Sequence, residues 1–448
     1  MSLPRAFQEG IQAALDKRQR IGQTFDLAPA VDKSVTVDFA SNDTLSLVSS
    51  GSLREETLRE LDRNPGFEIG ACGSRVNEGT PYVAELEKYL AHVHGAEDGL
   101  FFVSGYSANG AIFGTLPRDG DAIIYDSLVH ASIHDGMKLT RASIRSPFAH
   151  NDLHALANEI ENVKHKSPAI NSGDRTVFVA IESVYGMDGD VAPAREIVDV
   201  VKKALPHQNF ILIIDEAHSN GLLGPKGSGL VSDLGLEKEY AVRLQVVGKA
   251  HGASGAIVLC DPLVKKMLLN YARMFIFTAA PGFLLAATVK SAYNILTGPE
   301  GDSRRRKLQD NIRFFYDLLE REPRWHQARE AGFLRVTSGA NWRSESFITP
   351  IVPFVTKVGK CTQLRDTLRR RGFLVHAVRF PAVPKDSERV RIVIHAENTK
   401  EQMTALVKAI MDWASRYRPS MASPNQTENA DLCCKEMPAR TRGRPETH

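Results

Sequence analysis

Between residues 54 and 295, short runs of apolar β-forming residues alternate with stretches of helical character. This rhythm restricts the fold more than any other feature of the chain. The runs are Gly99–Val103, Ala122–Tyr125, Val177–Ile181, Phe210–Ile214, Leu244–Val247 and Ala256–Leu259. Helical patterns fall between and beside them, at 82–94, 107–114, 152–163 and 194–204. Near-continuous apolar strands separated by amphipathic helices predict an α/β fold, with a mainly parallel sheet covered on both faces. In such a sheet, ligands gather beyond the carboxyl ends of the strands.

After about residue 296 the texture changes. Ser303-Arg304-Arg305-Arg306-Lys307 opens a long charged helix. Shorter strands follow around 348–354, 373–379 and 389–394, then a terminal helix at about 400–416. This predicts a smaller C-terminal α+β domain. The expected divisions are 1–53 (a helix over 7–20 and a strand over 35–39), 54–295, 296–416, and a disordered polar tail at 417–448. No internal repeat is visible.

Bulk properties exclude several classes. A net charge of +3 over 448 residues gives no reason to expect nucleic acid or an anionic membrane as partner. The five cysteines show neither a disulfide framework nor zinc spacing, so no metal site is expected. One long uncharged stretch, Met274 to Val289, is sixteen residues long and broken by Pro281-Gly282. That is short for a membrane span and reads as buried core. With no signal peptide at the start and no peroxisomal tripeptide at the end, the expected location is cytoplasmic.

The polar residues that close the strand-like runs are chemically suggestive. Phe210–Ile214 ends in Asp215-Glu216-Ala217-His218, Val177–Ile181 ends in Glu182, and Lys249 follows Val246-Val247-Gly248. Asp-Glu-Ala-His also occurs in helicases, but there it needs an upstream phosphate loop ending in Gly-Lys-Ser/Thr, which this chain lacks. Ser104-Gly105-Tyr106-Ser107 turns from a strand into a helix, which suits a phosphate by exposed N–H groups and dipole. His130 stands in Val129-His130-Ala131-Ser132. Each feature alone has a plainer reading, as a cap, a surface charge or an ordinary βα turn. Together, a lysine, a strand-end Asp with His three residues on, and a separate His are the parts needed to hold pyridoxal 5'-phosphate (PLP). Arg391 alternates with Val390 and Ile392, and an inward-pointing arginine needs a carboxylate partner.

In order along the chain, Ile11-Gln12-Ala13-Ala14-Leu15-Asp16, Ser41-Asn42-Asp43, Gly73-Ser74-Arg75, Ser104-Gly105-Tyr106, His130-Ala131-Ser132, Phe148-Ala149-His150-Asn151-Asp152, Met187-Asp188-Gly189-Asp190, Asp215-Glu216-Ala217-His218, Gly248-Lys249 and Arg379-Phe380-Pro381-Ala382-Val383-Pro384 resemble the α-oxoamine synthase family of fold-type-I PLP enzymes. The resemblance covers residues 5–415. It implies decarboxylative condensation of an amino acid with an acyl-CoA. L-alanine with pimeloyl-CoA is the leading pair, and glycine or serine with another acyl thioester is the alternative. An aminotransferase and a non-enzymatic partner subunit are the further readings.

The resemblance also implies roles. Lys249 would hold PLP as a Schiff base and shuttle the α-proton. Asp215 would face the pyridine nitrogen, His218 the phenolate oxygen, and His130 would stack on the ring. Gly105 and Tyr106 would offer N–H groups to the phosphate, with Thr278 reaching it from the neighbouring subunit of a homodimer whose site lies at the interface. Asn42 and Arg391 would hold the amino-acid carboxylate, with Arg379 as a further substrate contact. Three positions depart from the family pattern. Val246 replaces a hydroxyl residue three before the lysine, Gly186 replaces a serine before Met-Asp-Gly-Asp, and Thr44-Leu45-Ser46 replaces Tyr-Leu-Gly. Each neutral hydrogen bond lost would cost about 0.5–1.5 kcal/mol.

Overall fold

The computed structural model describes residues 3–21, 23–24, 27, 31–32, 35–77 and 79–417. The tail expected at 417–448 lies, from residue 418 onward, outside the described residues. In chain order the strands are β1 (Val37–Asp38), β2 (Asp98–Phe102), β3 (Ala122–Asp126), β4 (Ile144–Phe148), β5 (Val177–Glu182), β6 (Phe210–Asp215), β7 (Val242–Val246), β8 (Ala256–Cys260), β9 (Leu334–Val336), β10 (Ile351–Thr356), β11 (Phe373–Leu374), β12 (His376–Val378) and β13 (Arg389–Val393).

Among the described residues, seven strands form the larger sheet in the order β2-β8-β7-β6-β5-β3-β4. Its pairings are parallel except where β8 runs antiparallel to β7 and β2. All six foreseen strands lie in this sheet. The seventh, β4, is an edge strand of sequence Ile-Arg-Ser-Pro-Phe. Pro147 is tolerated there because an edge strand has one side without a ladder partner.

The period-2 rule explains how the sheet is covered. On β5, Val177, Val179 and Ile181 pack with Leu156, Ile160, Ile197 and Val201, from the helices Leu153–Lys166 and Ala194–Ala204. Phe178 and Ala180 point the other way, toward Ile112, Phe113 and Ile133 from the helices Gly105–Thr115 and Ala131–Lys138. Both faces are thus dry, as a parallel sheet requires.

The smaller sheet, β12-β13-β10-β9, is antiparallel. It packs with the helices Pro299–Arg321 and Lys400–Ala414 around Phe315, Phe354, Ile392 and Trp413. Phe39, Leu45 and Leu47 belong to the same core, so the N-terminal segment is tied to the C-terminal one. The strand expected at 35–39 is reduced to β1, paired in parallel with β11.

One expectation is met with a qualification and another is corrected. The N-terminal helix forms at Arg5–Arg20, but it buries no residue, and Phe7, Ile11 and Leu15 are each 44–55% exposed. The uncharged stretch Met274–Val289 is buried core only in part. Phe275 and the helix Phe283–Leu296 supply core residues, whereas Phe277 is 71% exposed. Among the described residues, no helix is long and apolar enough to cross a membrane.

A turn from Val184 to Val191 joins the two sheets. Its residue Gly189 has φ +72°, and a Cβ there would lie 2.6 Å from the Ile351 carbonyl and 2.8 Å from Thr349 Oγ1. Gly189→Ala is therefore expected to cost about 1–3 kcal/mol through backbone strain alone. The expected readout is a lowered denaturant midpoint with an unchanged slope.

Candidate active site

The carboxyl edge of the larger sheet gathers the polar residues. Glu182 ends β5 and Asp215 ends β6, side by side in register. Lys249 follows β7 by three residues, His130 follows β3 by four, and the Gly105–Thr115 helix begins just past β2.

Asp215 is only 6% exposed. Its Oδ1 accepts from Ala217 N at 2.9 Å and its Oδ2 from Asn109 Nδ2 at 2.9 Å. The same Asn109 amide donates to Ser132 Oγ at 2.9 Å. Ser132 Oγ lies 2.8 Å from His130 Nδ1, which also accepts from Ser132 N. With Nδ1 accepting, the neutral ring carries its proton on Nε2. Asp215 and His130 are thus the two ends of one chain of hydrogen bonds. Its middle members, Asn109 and Ser132, went unassigned in the sequence, although an amide among Ala108, Gly110, Ala111 and Ile112 is itself the sign of a buried polar partner.

Burial pushes Lys249 down to about 8, assisted by the charge of Arg391 and opposed by Asp215 and Glu182. Burial, with Asp215 next, pushes the Glu182 carboxyl up to about 8. Burial also lowers His130, against the pull of Asp215. His218 falls well below the usual imidazole range through burial and the charges of Lys249, Arg391 and His130. His218 and Lys249 line one crevice with Asn42, Thr44 and Ile351.

Arg391 enters from β13 of the other sheet and is 8% exposed. Its Nε donates to Gly186 O at 2.6 Å and its NH2 to Asn42 Oδ1 at 3.0 Å. The sequence suggested a carboxylate partner; the bonded partners are two neutral oxygens. Burial alone brings Arg391 down to about 10.

Gly105 and Tyr106 are the first two residues of their helix, where N–H groups lack intrahelical acceptors. A Cβ on Gly105 would meet Val246 Cγ2 at 2.6 Å, so Val246 presents its methyl groups to the start of this helix. The Tyr106 hydroxyl donates to Asp135. A Cβ at Gly186 would collide with His218 Nε2; the imidazole fills the space a side chain there would take. Thr278 lies apart from Lys249, in a crevice with Arg75, Phe102 and Val103. Arg379 is exposed just past β12.

These groups fit PLP: a buried carboxylate for a cationic ring nitrogen, a primary amine held partly neutral, an imidazole to cover the ring, and a bare glycine at a helix start for a phosphate.

The profile for aminotransferases of class I and II matches residues 34–410. The aminoacyl transferase sphA of Aspergillus fumigatus is 38% identical over 411 residues, 91% of this chain and 87% of that protein. An 8-amino-7-oxononanoate synthase of Emericella nidulans is 37% identical over 422 residues, 94% of this chain and 98% of that protein. A structure of a serine palmitoyltransferase variant from S. paucimobilis with bound PLP and myriocin superimposes with a TM-score of 0.75 at 25% identity, covering 93% of this chain and 99% of that one. The 8-amino-7-oxononanoate synthase of Francisella tularensis gives a TM-score of 0.65 at 27% identity, covering 86% and 99%. The chain belongs to the aminotransferase class I and II family of PLP enzymes. Within it, the chain is an α-oxoamine synthase, a PLP-dependent acyltransferase.

Two measurements probe the site. At pH 7, a lysine at about 8 rather than the ordinary 10.5 holds roughly a hundredfold or more free amine. Uptake of PLP by the apoprotein, followed by the absorbance of bound cofactor, should therefore speed up with pH and level off above about 8. Asn109→Leu leaves the buried Asp215 Oδ2 without its donor, at a cost of about 1–3 kcal/mol. Fluorescence titration of this variant should show the dissociation constant for PLP raised about tenfold.

Proposed function

We propose that this enzyme condenses L-alanine with pimeloyl-CoA, releasing CoA and CO2 and forming 8-amino-7-oxononanoate, a step of biotin biosynthesis. The observation that carries the amino-acid half of this reading is Arg391. A buried guanidinium bonded, among the described residues, to the Gly186 carbonyl and the Asn42 amide oxygen alone keeps donors and an uncompensated charge for an incoming carboxylate. Bidentate binding by Arg391, with Asn42 beside it, would fix the α-carbon over Lys249.

When bound, PLP withdraws electrons from the amino-acid α-carbon and so makes its proton and its carboxylate labile. The residues do the rest. Lys249 would hold the cofactor through its amine and, when that amine is free, would take the α-proton. Asp215, fixed by Asn109 and Ala217 N, would keep a proton on the ring nitrogen. His218 would serve the phenolate oxygen, and His130 would cover the ring. The helix start at Gly105 and Tyr106 would hold the phosphate. The family resemblance further supports a homodimer in which Thr278 serves the neighbouring copy's phosphate, and a substrate contact by Arg379.

A second reading keeps the chemistry and changes the substrates. The similarity to the aminoacyl transferase sphA, together with Val246 and Gly186, favours another amino acid and acyl thioester. The deciding experiment measures CoA release over a matrix of L-alanine, glycine and L-serine against pimeloyl-CoA and longer acyl-CoAs. Preference for L-alanine with pimeloyl-CoA supports the first reading, and preference for any other pair supports the second. Amino-group transfer without CoA release would overturn both. Lys249→Ala should lose at least about 10²–10⁴-fold in turnover, the usual worth of a positioned proton-transfer group.

A further inference from the structure

The Val184–Val191 turn is gripped from two sides. Its ends are bridged to each other, Tyr185 N donates to Asp190 O at 3.0 Å, and Gly189 N donates to Tyr185 O at 2.8 Å. From the smaller sheet, β13 lays two arginines on its backbone. Arg389 is ion-paired to Asp188 and donates to Met187 O at 3.1 Å, and Arg391 donates to Gly186 O.

On the side of the larger sheet stands His150. Its Nδ1 lies 2.9 Å from Asp126 Oδ1 and its Nε2 lies 2.7 Å from Asp190 Oδ2. Both ring nitrogens face carboxylate oxygens, the arrangement of a doubly protonated imidazolium, since a neutral ring has only one N–H to donate. Burial works against that charge, but Asp126 and Asp190 outweigh it and push His150 up to about 10. Asp126 is fully buried and also accepts from Leu128 N and Asn151 N, anchoring the loop that leads to His130. Among the described residues, Asp190 Oδ1 has no hydrogen-bond partner, and Oδ2, held by His150 and Asn151 Nδ2, carries this carboxylate's bonds. The His150 ring meets Tyr185 edge to face, with centroids 4.4 Å apart.

We propose that His150 is a positioning residue for amino-acid binding: as a cation clamped between Asp126 and Asp190 it fixes the Val184–Val191 turn, and with it the Gly186 carbonyl that aims Arg391 at the substrate carboxylate. The inference rests on the reading of Arg391 given above. Removing the charge leaves two carboxylates sharing one neutral donor. The turn then loosens, and the guanidinium loses the acceptor that orients its Nε.

The test is steady-state kinetics on the full-length PLP-loaded enzyme with H150Q, D190N, R391K and the two double variants carrying R391K. D190N keeps the bond of His150 to Asp126, and so answers the question should H150Q fail to fold. H150Q and D190N are each expected to raise KM for the amino acid about tenfold, with kcat within about threefold and PLP affinity unchanged. Each double variant should be no worse than R391K alone, because the two changes act through one contact. A raised KM in R391K with an unchanged KM in H150Q and D190N would overturn the role of His150 and spare that of Arg391. An unchanged KM in R391K would overturn both. A parallel loss of kcat, KM and PLP affinity, or effects additive with R391K, would reduce His150 to a structural staple and overturn the inference.

Discussion

A carboxylate taken out of water must be given donors in its place, and the arrangement of this site follows from how Asp215 receives them. One comes from the backbone two residues on, and the other from Asn109, on a helix that enters from a different strand. Because the Asn109 amide also holds Ser132, and Ser132 holds His130, satisfying one charge fixes two helix starts against the sheet edge. Lys249 then sits among Asp215, Glu182 and Arg391. Its proton affinity is a balance between lost water, one cation and two acids.

The second dependence runs across the two sheets. The larger sheet carries the residues proposed for the cofactor, while Arg391 comes from the smaller one and Asn42 from the segment that packs with it. On that proposal, neither sheet alone would bind both the cofactor and an amino-acid carboxylate. The seam between them joins the two halves of the site, and beside its apolar packing it carries ion pairs and carbonyl bonds. Arg389–Asp188 closes one side and His150 with Asp126 and Asp190 the other.

Much of this was legible in the chain, for reasons that can be named. The six strands of the larger sheet announced themselves because strands buried on both faces are apolar throughout, and their polar ends stood out against that background. Lys249, Asp215 and His218 were singled out this way, and Arg391 by its alternation with Val390 and Ile392. β4 was missed because Ile-Arg-Ser-Pro-Phe, at the edge, needs no apolar run. β9, three residues long, carries no period at all. Asn109 and Ser132 were passed over because a hydrogen-bond chain between segments leaves no spacing in the sequence. The apolar stripe of the N-terminal helix was legible, but what it packs against was not, since no described residue buries it. Arg391 was rightly read as inward-facing, and its partners within the chain are a carbonyl and an amide oxygen rather than a carboxylate. A guanidinium bonded to neutral oxygens looks, in sequence, like one in a salt bridge.

Gly186 has one more consequence. Its missing side chain and the imidazole of His218 occupy the same space, so the two positions form a single steric unit. A side chain at 186 has room only if the His218 ring turns away, and turning it changes what the pocket presents at that wall. The width of the pocket beside Lys249 is thus set by two positions jointly, and a change at either is felt at the other.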